Sequence, residues 1–113
     1  MKRSPRLFVE DILGAMNKIE RYTDGLIYDD FIEQEIVVDA VVRNLEIIGE
    51  AAKNIPIKLQ EQFLLVPWKR MIGLRNIISH GYFGIDMSII WEIITQNLPK
   101  TKPLLLEMQK KLD

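Results

Sequence analysis

"FIEQEIVVDAVVRNLEIIGEAAKN", residues 31–54, sets Val37, Val41, Leu45, Ile48 and Ala52 at three- and four-residue steps. That recurrence marks one face of an α-helix, and it lacks the strict alternation of a half-buried strand. Asp29 or Asp30 can cap the start and Pro56 closes the end, so the stretch predicts a helix from about Phe31 to Asn54. At about 1.5 Å per residue it is long enough to form the backbone of a helical bundle.

The flanking chain reads the same way. Ser4 followed by Pro5 is an N-cap and first-turn proline, opening a helix to about Tyr22 with Leu7, Phe8, Ile12, Leu13, Met16 and Ile19 on one side. "TDGL" (23–26) breaks the chain before the long helix. Downstream, a short helix is expected over Ile57 to Phe63, and Pro67 starts another that stops near Gly81 and Gly84. Asp86 caps a last major helix carrying Ile89, Ile90, Ile93 and Ile94. Pro99 and Pro103 should disturb the tail before it resumes as a helix through "LLLEMQKKL". The expectation is an all-α, antiparallel bundle of four to five helices in a single domain, residues 1–113.

Composition narrows the function. There is no cysteine, which removes disulfides and thiolate chemistry and fits a reducing cytoplasm. The basic start has the look of a signal peptide, but Glu10 and Asp11 interrupt its apolar run, and no stretch approaches the roughly 20 apolar residues of a membrane span. A soluble, cytoplasmic protein without a membrane partner is expected. The net charge of −1 makes no global case for a polyanion, yet no acidic residue lies between Glu61 and Asp86, where Lys69, Arg70 and Arg75 fall. The acidic run "YDDFIEQE" (28–35) reads as a helix start and a solvated face.

That basic segment holds the only histidine. In "RNIISHGY", residues 75–82, Arg75 precedes His80 by five positions and Tyr82 follows it by two. At about 100° per residue, Met71, Leu74, Ile77 and Ile78 share one side, while Arg75, Asn76, Ser79 and His80 fall in an arc of about 140° on the other, broken by Ile72. Asn76 and His80 are one turn apart, and the long Arg75 guanidinium can reach them. Gly73 lies beside the His80 stripe, where its missing side chain admits another backbone or a substrate. Taken singly, a histidine near a helix C-terminus is most often a cap, an arginine a solvated cation and a tyrosine a packed ring. Their conjunction beside a glycine points to a site.

The spacing R-x4-H-x-Y within "GLRNIISHGYFGID", with "RNLEIIGEAAKNIP" on the long helix and "PWKRMIGLRN" leading into the motif, resembles the HepT-like toxins of the HEPN superfamily. The resemblance covers nearly the whole chain. It implies a HEPN bundle, a two-fold homodimer, metal-independent endoribonuclease activity and pairing with a small nucleotidyltransferase antitoxin, which silences the toxin by transferring AMP to the tyrosine matching Tyr82. The chemistry agrees with it: RNA cleavage by its own 2′-hydroxyl needs a base near neutral pKa, an acid for the leaving oxygen and cationic donors for the phosphorane. His80 can be the base, Arg75 can hold phosphate bidentately, and Asn76 can orient His80 or bind phosphate. One chain offers a single histidine, and a symmetric dimer supplies two to one cleft. No cofactor and no metal are expected; Glu46 and Glu50, one turn apart on the long helix, read as a solvated pair or as support for the motif. Two other readings stand beside the ribonuclease: a non-catalytic, nucleotide-binding regulatory subunit of a nucleotidyltransferase pair, and a plain helical dimerisation module.

Overall fold

The computed structural model describes residues 3–81 and 86–112, with the side chains of 77–81 left aside. Seven α-helices are found among the described residues, with no strand: α1 (Pro5–Thr23), α2 (Tyr28–Glu33), α3 (Glu35–Lys53), α4 (Ile57–Gln62), α5 (Trp68–Gly81), α6 (Met87–Glu92) and α7 (Leu98–Lys111). A π-helical turn, Ile93–Asn97, joins α6 to α7. The central element is α3, which packs on α1 and on α5, while α7 closes against α1. Among the described residues no helix is long and apolar enough to cross a membrane.

Local chemistry explains most of the boundaries. Ser4 accepts a hydrogen bond from the Arg6 amide at 3.3 Å, with Pro5 in the first turn of α1. Gly25, at φ +76°, makes the turn after α1, a conformation that an L side chain resists. Asp86 caps α6, accepting from the Ser88 amide at 2.9 Å and the Ser88 hydroxyl at 2.7 Å, and these bonds hold its carboxyl below the ordinary carboxylate range. The core joins Val9, Ile12, Met16 and Ile19 of α1 to Val41, Leu45, Ile48 and Ala52 of α3, with Met71, Leu74, Ile90, Leu105 and Met108 from the later helices. Each valine, leucine, isoleucine or methionine among them contributes about 1.5–3 kcal/mol when fully buried. Leu7, expected on the inner side of α1, is 41% exposed and lies outside this core.

Two elements depart from expectation. The helix expected as continuous from Phe31 is broken at Gln34, whose backbone sits at φ −98°, ψ 85°. Its cause is tertiary: Phe31 is wholly buried with its ring 5.1 Å from that of Trp91, and Tyr28 meets the same indole edge-on at 6.2 Å. These contacts turn α2 towards α6 and away from the line of α3. In the tail, Pro99 lacks the N–H that would bond the Thr95 carbonyl, and the chain accommodates this by widening just before it. The Leu98 amide bonds the Ile93 carbonyl in π fashion, after which α7 runs unbroken through Pro103.

Candidate functional site

The helix carrying the motif is anchored at its start. Trp68 is buried and donates its indole N–H to the Phe63 carbonyl at 3.1 Å, while Met71 and Leu74 pack inward one turn on. Where α5 crosses α3 the backbones nearly touch. A Cβ built on Gly49 would stand 3.0 Å from the Arg75 amide nitrogen, 3.2 Å from the Arg75 Cβ and 3.2 Å from the Met71 carbonyl oxygen. The glycine that admits a neighbouring backbone is therefore Gly49 on α3.

This crossing sets Arg75 beside Glu50. Arg75 Nε lies 3.1 Å from Glu50 Oε2, with the side chains 43% and 55% exposed. A cavity of about 440 Å³ surrounds the pair, lined also by Arg3, Asp11, Arg43 and Glu46. Every arginine in it faces a carboxylate: Arg3 with Asp11 at 2.7 Å and Arg43 with Glu46 at 3.9 Å complete the set. The Asp11 hydrogen bond raises the Arg3 pKa further. Exposed pairs of this kind are worth at most about 1 kcal/mol. A phosphate offering charge-assisted bonds of about 1.5–3 kcal/mol to a guanidinium can displace such a carboxylate, and Arg75 has five N–H donors, of which the pair engages Nε.

The remaining motif residues divide between this side of α5 and the other. Asn76 is exposed to solvent. Gly73 faces away from Arg75 into a second cavity of about 510 Å³ between α5, the π turn and α7, where nothing lies within 4 Å of a Cβ built upon it. Gly73 and Arg75 therefore serve different grooves. Ser79 and His80 occupy the last turns of α5, and their side chains lie outside those described, as does Tyr82 altogether. Glu50 is one of the two acids that the sequence offers as a solvated pair or as support for the motif, and it is the one that meets Arg75. Gly49 went unread, although a lone glycine inside a strongly apolar helical repeat signals a packing requirement.

The model of the Ribonuclease HepT-like family matches residues 12–108. A candidate RNase of Methanocaldococcus jannaschii is 45% identical over 101 residues, covering 89% of this chain and 93% of the relative. A candidate ribonuclease HepT of Thermococcus cleftensis is 36% identical over 110 residues, 97% of this chain and 100% of the relative. A further Methanocaldococcus jannaschii protein, named as a gamma-glutamylcyclotransferase and candidate RNase, is 36% identical over 113 residues; this chain spans 51% of its length. No solved structure matches.

Proposed function

Because the chain belongs to the ribonuclease HepT-like family, we propose that it is a metal-independent endoribonuclease acting as the toxin of a toxin–antitoxin pair. The observation that carries this reading is Arg75, held at the α3 crossing by Glu50 and five residues ahead of His80 on one helix. Arg75 clamps the scissile phosphate and its developing charge; His80 takes the proton of the 2′-hydroxyl. Protonation of the leaving 5′-oxygen falls to the histidine of a second copy, since each chain has one. A two-fold dimer that meets along the last turns of α5, from Asn76 to His80, supplies both to one cleft. Asn76 and Ser79 support the imidazole and the phosphate there, while Gly73 borders the separate groove between α5 and α7.

The purified, unmodified protein is expected to be dimeric by light scattering at micromolar concentration. It should cleave single-stranded RNA in EDTA, leaving a 2′,3′-cyclic or 3′-phosphate end. Failure to cleave any RNA, or cleavage that EDTA abolishes, overturns the mechanism, and inertness with retained phosphate binding favours a regulatory subunit.

Regulation follows from the same groups. AMP on Tyr82, two residues beyond His80, puts an anion where Arg75 would hold RNA phosphate. Incubation with the cognate nucleotidyltransferase, ATP and Mg²⁺ should add AMP to Tyr82 and reduce cleavage, while Tyr82→Phe keeps cleavage and escapes the inhibition. Peptide mass spectrometry decides it, with Tyr22 and Tyr28 as the competing acceptors. AMP on Tyr22 or Tyr28 instead, or on Tyr82 with undiminished cleavage, removes the switch.

A further inference from the structure

The groove on the Gly73 side of α5 has a different character from the one around Arg75. Met71, Leu74 and Leu98 give it an apolar floor, and Arg70 and Lys100 stand exposed at its rim. Neither cation forms an ion pair with any described residue, and no carboxylate is among the residues lining the groove. The chain itself has no acid from 62 to 85. Where the Arg75 cavity balances each arginine, this groove leaves two positive charges uncompensated.

It also offers polar selectivity. The π turn ends at Asn97, whose carbonyl accepts from the Thr101 hydroxyl at 2.9 Å but whose side-chain amide has no partner among the described residues. That amide presents a donor and an acceptor together, the pairing that reads a base edge. We propose that this groove is a nucleotide subsite for the RNA substrate: one base lies on the apolar floor with its edge at Asn97, and its flanking phosphates lie on Arg70 and Lys100. A volume of about 510 Å³ suits a ligand of this size. A nucleotide uses the apolar floor, the Asn97 amide and the two cations together, whereas an acyl chain would use the floor alone. Along α5, Gly73 is seven residues from position 80, about 10 Å at the helical rise, so a strand that passes position 80 on the Gly73 side of the helix can set a neighbouring nucleotide in the groove. The inference rests on the ribonuclease reading and assigns it a specificity-determining subsite.

The test uses the full chain and 2′-O-methyl single-stranded hexanucleotides of each base, which bind without being cut. Gly73→Leu fills the open space from a helix position with no neighbour to strike, and should weaken binding about tenfold while the melting temperature holds or rises. Arg70→Gln with Lys100→Gln should lower the slope of log affinity against log salt by about 1.4, or 0.7 per phosphate contact on a single strand. Asn97→Ala should flatten the preference among the four bases. Cleavage intact with binding and salt slope unchanged in all these variants overturns the subsite alone. A Gly73→Leu chain that turns monomeric shows that a second copy covers the groove, and overturns it too. Wild-type protein that neither binds nor cuts RNA overturns the subsite and the ribonuclease reading together.

Discussion

His80→Ala and Arg75→Ala should each lower the rate of RNA cleavage in EDTA by about 10²-fold or more, equivalent to roughly 3 kcal/mol in the barrier. Arg75 shows why such a loss is not a folding defect. Its partner Glu50 is 55% exposed, so deleting the guanidinium leaves a carboxylate in water and not a buried charge, at a stability cost of at most about 1 kcal/mol. The thermal melt of Arg75→Ala should therefore stay near that of the wild type while its activity collapses. Arg75→Lys separates charge from geometry: an ammonium keeps the attraction but loses the planar fork, and it should recover only part of the rate. Glu50→Gln tests the support, because it releases Arg75 without removing it and should alter KM more than kcat. Wild-type cleavage by His80→Ala, measured with EDTA present, would remove the histidine from the mechanism.

The distance over which each cause acts decides what the sequence discloses. Ser4 with Pro5, Gly25 and Asp86 set their boundaries through atoms within a turn of themselves, and each stands where the pattern puts it. The break at Gln34 falls in the polar stretch Glu33-Gln34-Glu35, where the apolar repeat lapses, but the turn itself comes from Phe31 and Tyr28 meeting Trp91, 60 and 63 residues later in the chain. Pro99 announced a disturbance, but its form, a π turn ahead of an unbroken α7, depends on how the widened turn packs. The site divides in the same way. The spacing to His80 and Tyr82 singles out Arg75 as a candidate. Which of Glu46 and Glu50 would meet it depends on where α3 crosses α5, and so does the finding that Gly73 opens on the opposite groove.

Gly49→Ala destabilises the protein, and Gly14→Ala stabilises it. The two glycines both sit inside long helices, so both substitutions gain about 0.8–1 kcal/mol of helix propensity. At Gly14 nothing lies within 4 Å of the new methyl, and the gain is realised. At Gly49 the methyl arrives 3.0 Å from a backbone nitrogen and 3.2 Å from a backbone oxygen of α5, atoms that cannot rotate aside as a side-chain tip can. Relief requires α5 to move as a body, at an overpacking cost of about 1–3 kcal/mol, and Gly49→Val adds two further methyl groups to the same gap. With melting temperature changing by about 5 °C per kcal/mol for a domain of this size, Gly14→Ala should melt a few degrees higher and Gly49→Val 10 °C or more lower, with Gly49→Ala between them and below wild type. Because the atoms displaced are the Arg75 amide and Cβ, Gly49→Ala should also lose cleavage activity at temperatures where it remains folded, a loss that Gly14→Ala does not share. A Gly49→Ala protein that melts at or above the wild-type temperature would mean that the Arg75 amide does not sit within 3.0 Å of a Cβ at Gly49, and the positioning of Arg75 by that crossing would fall with it.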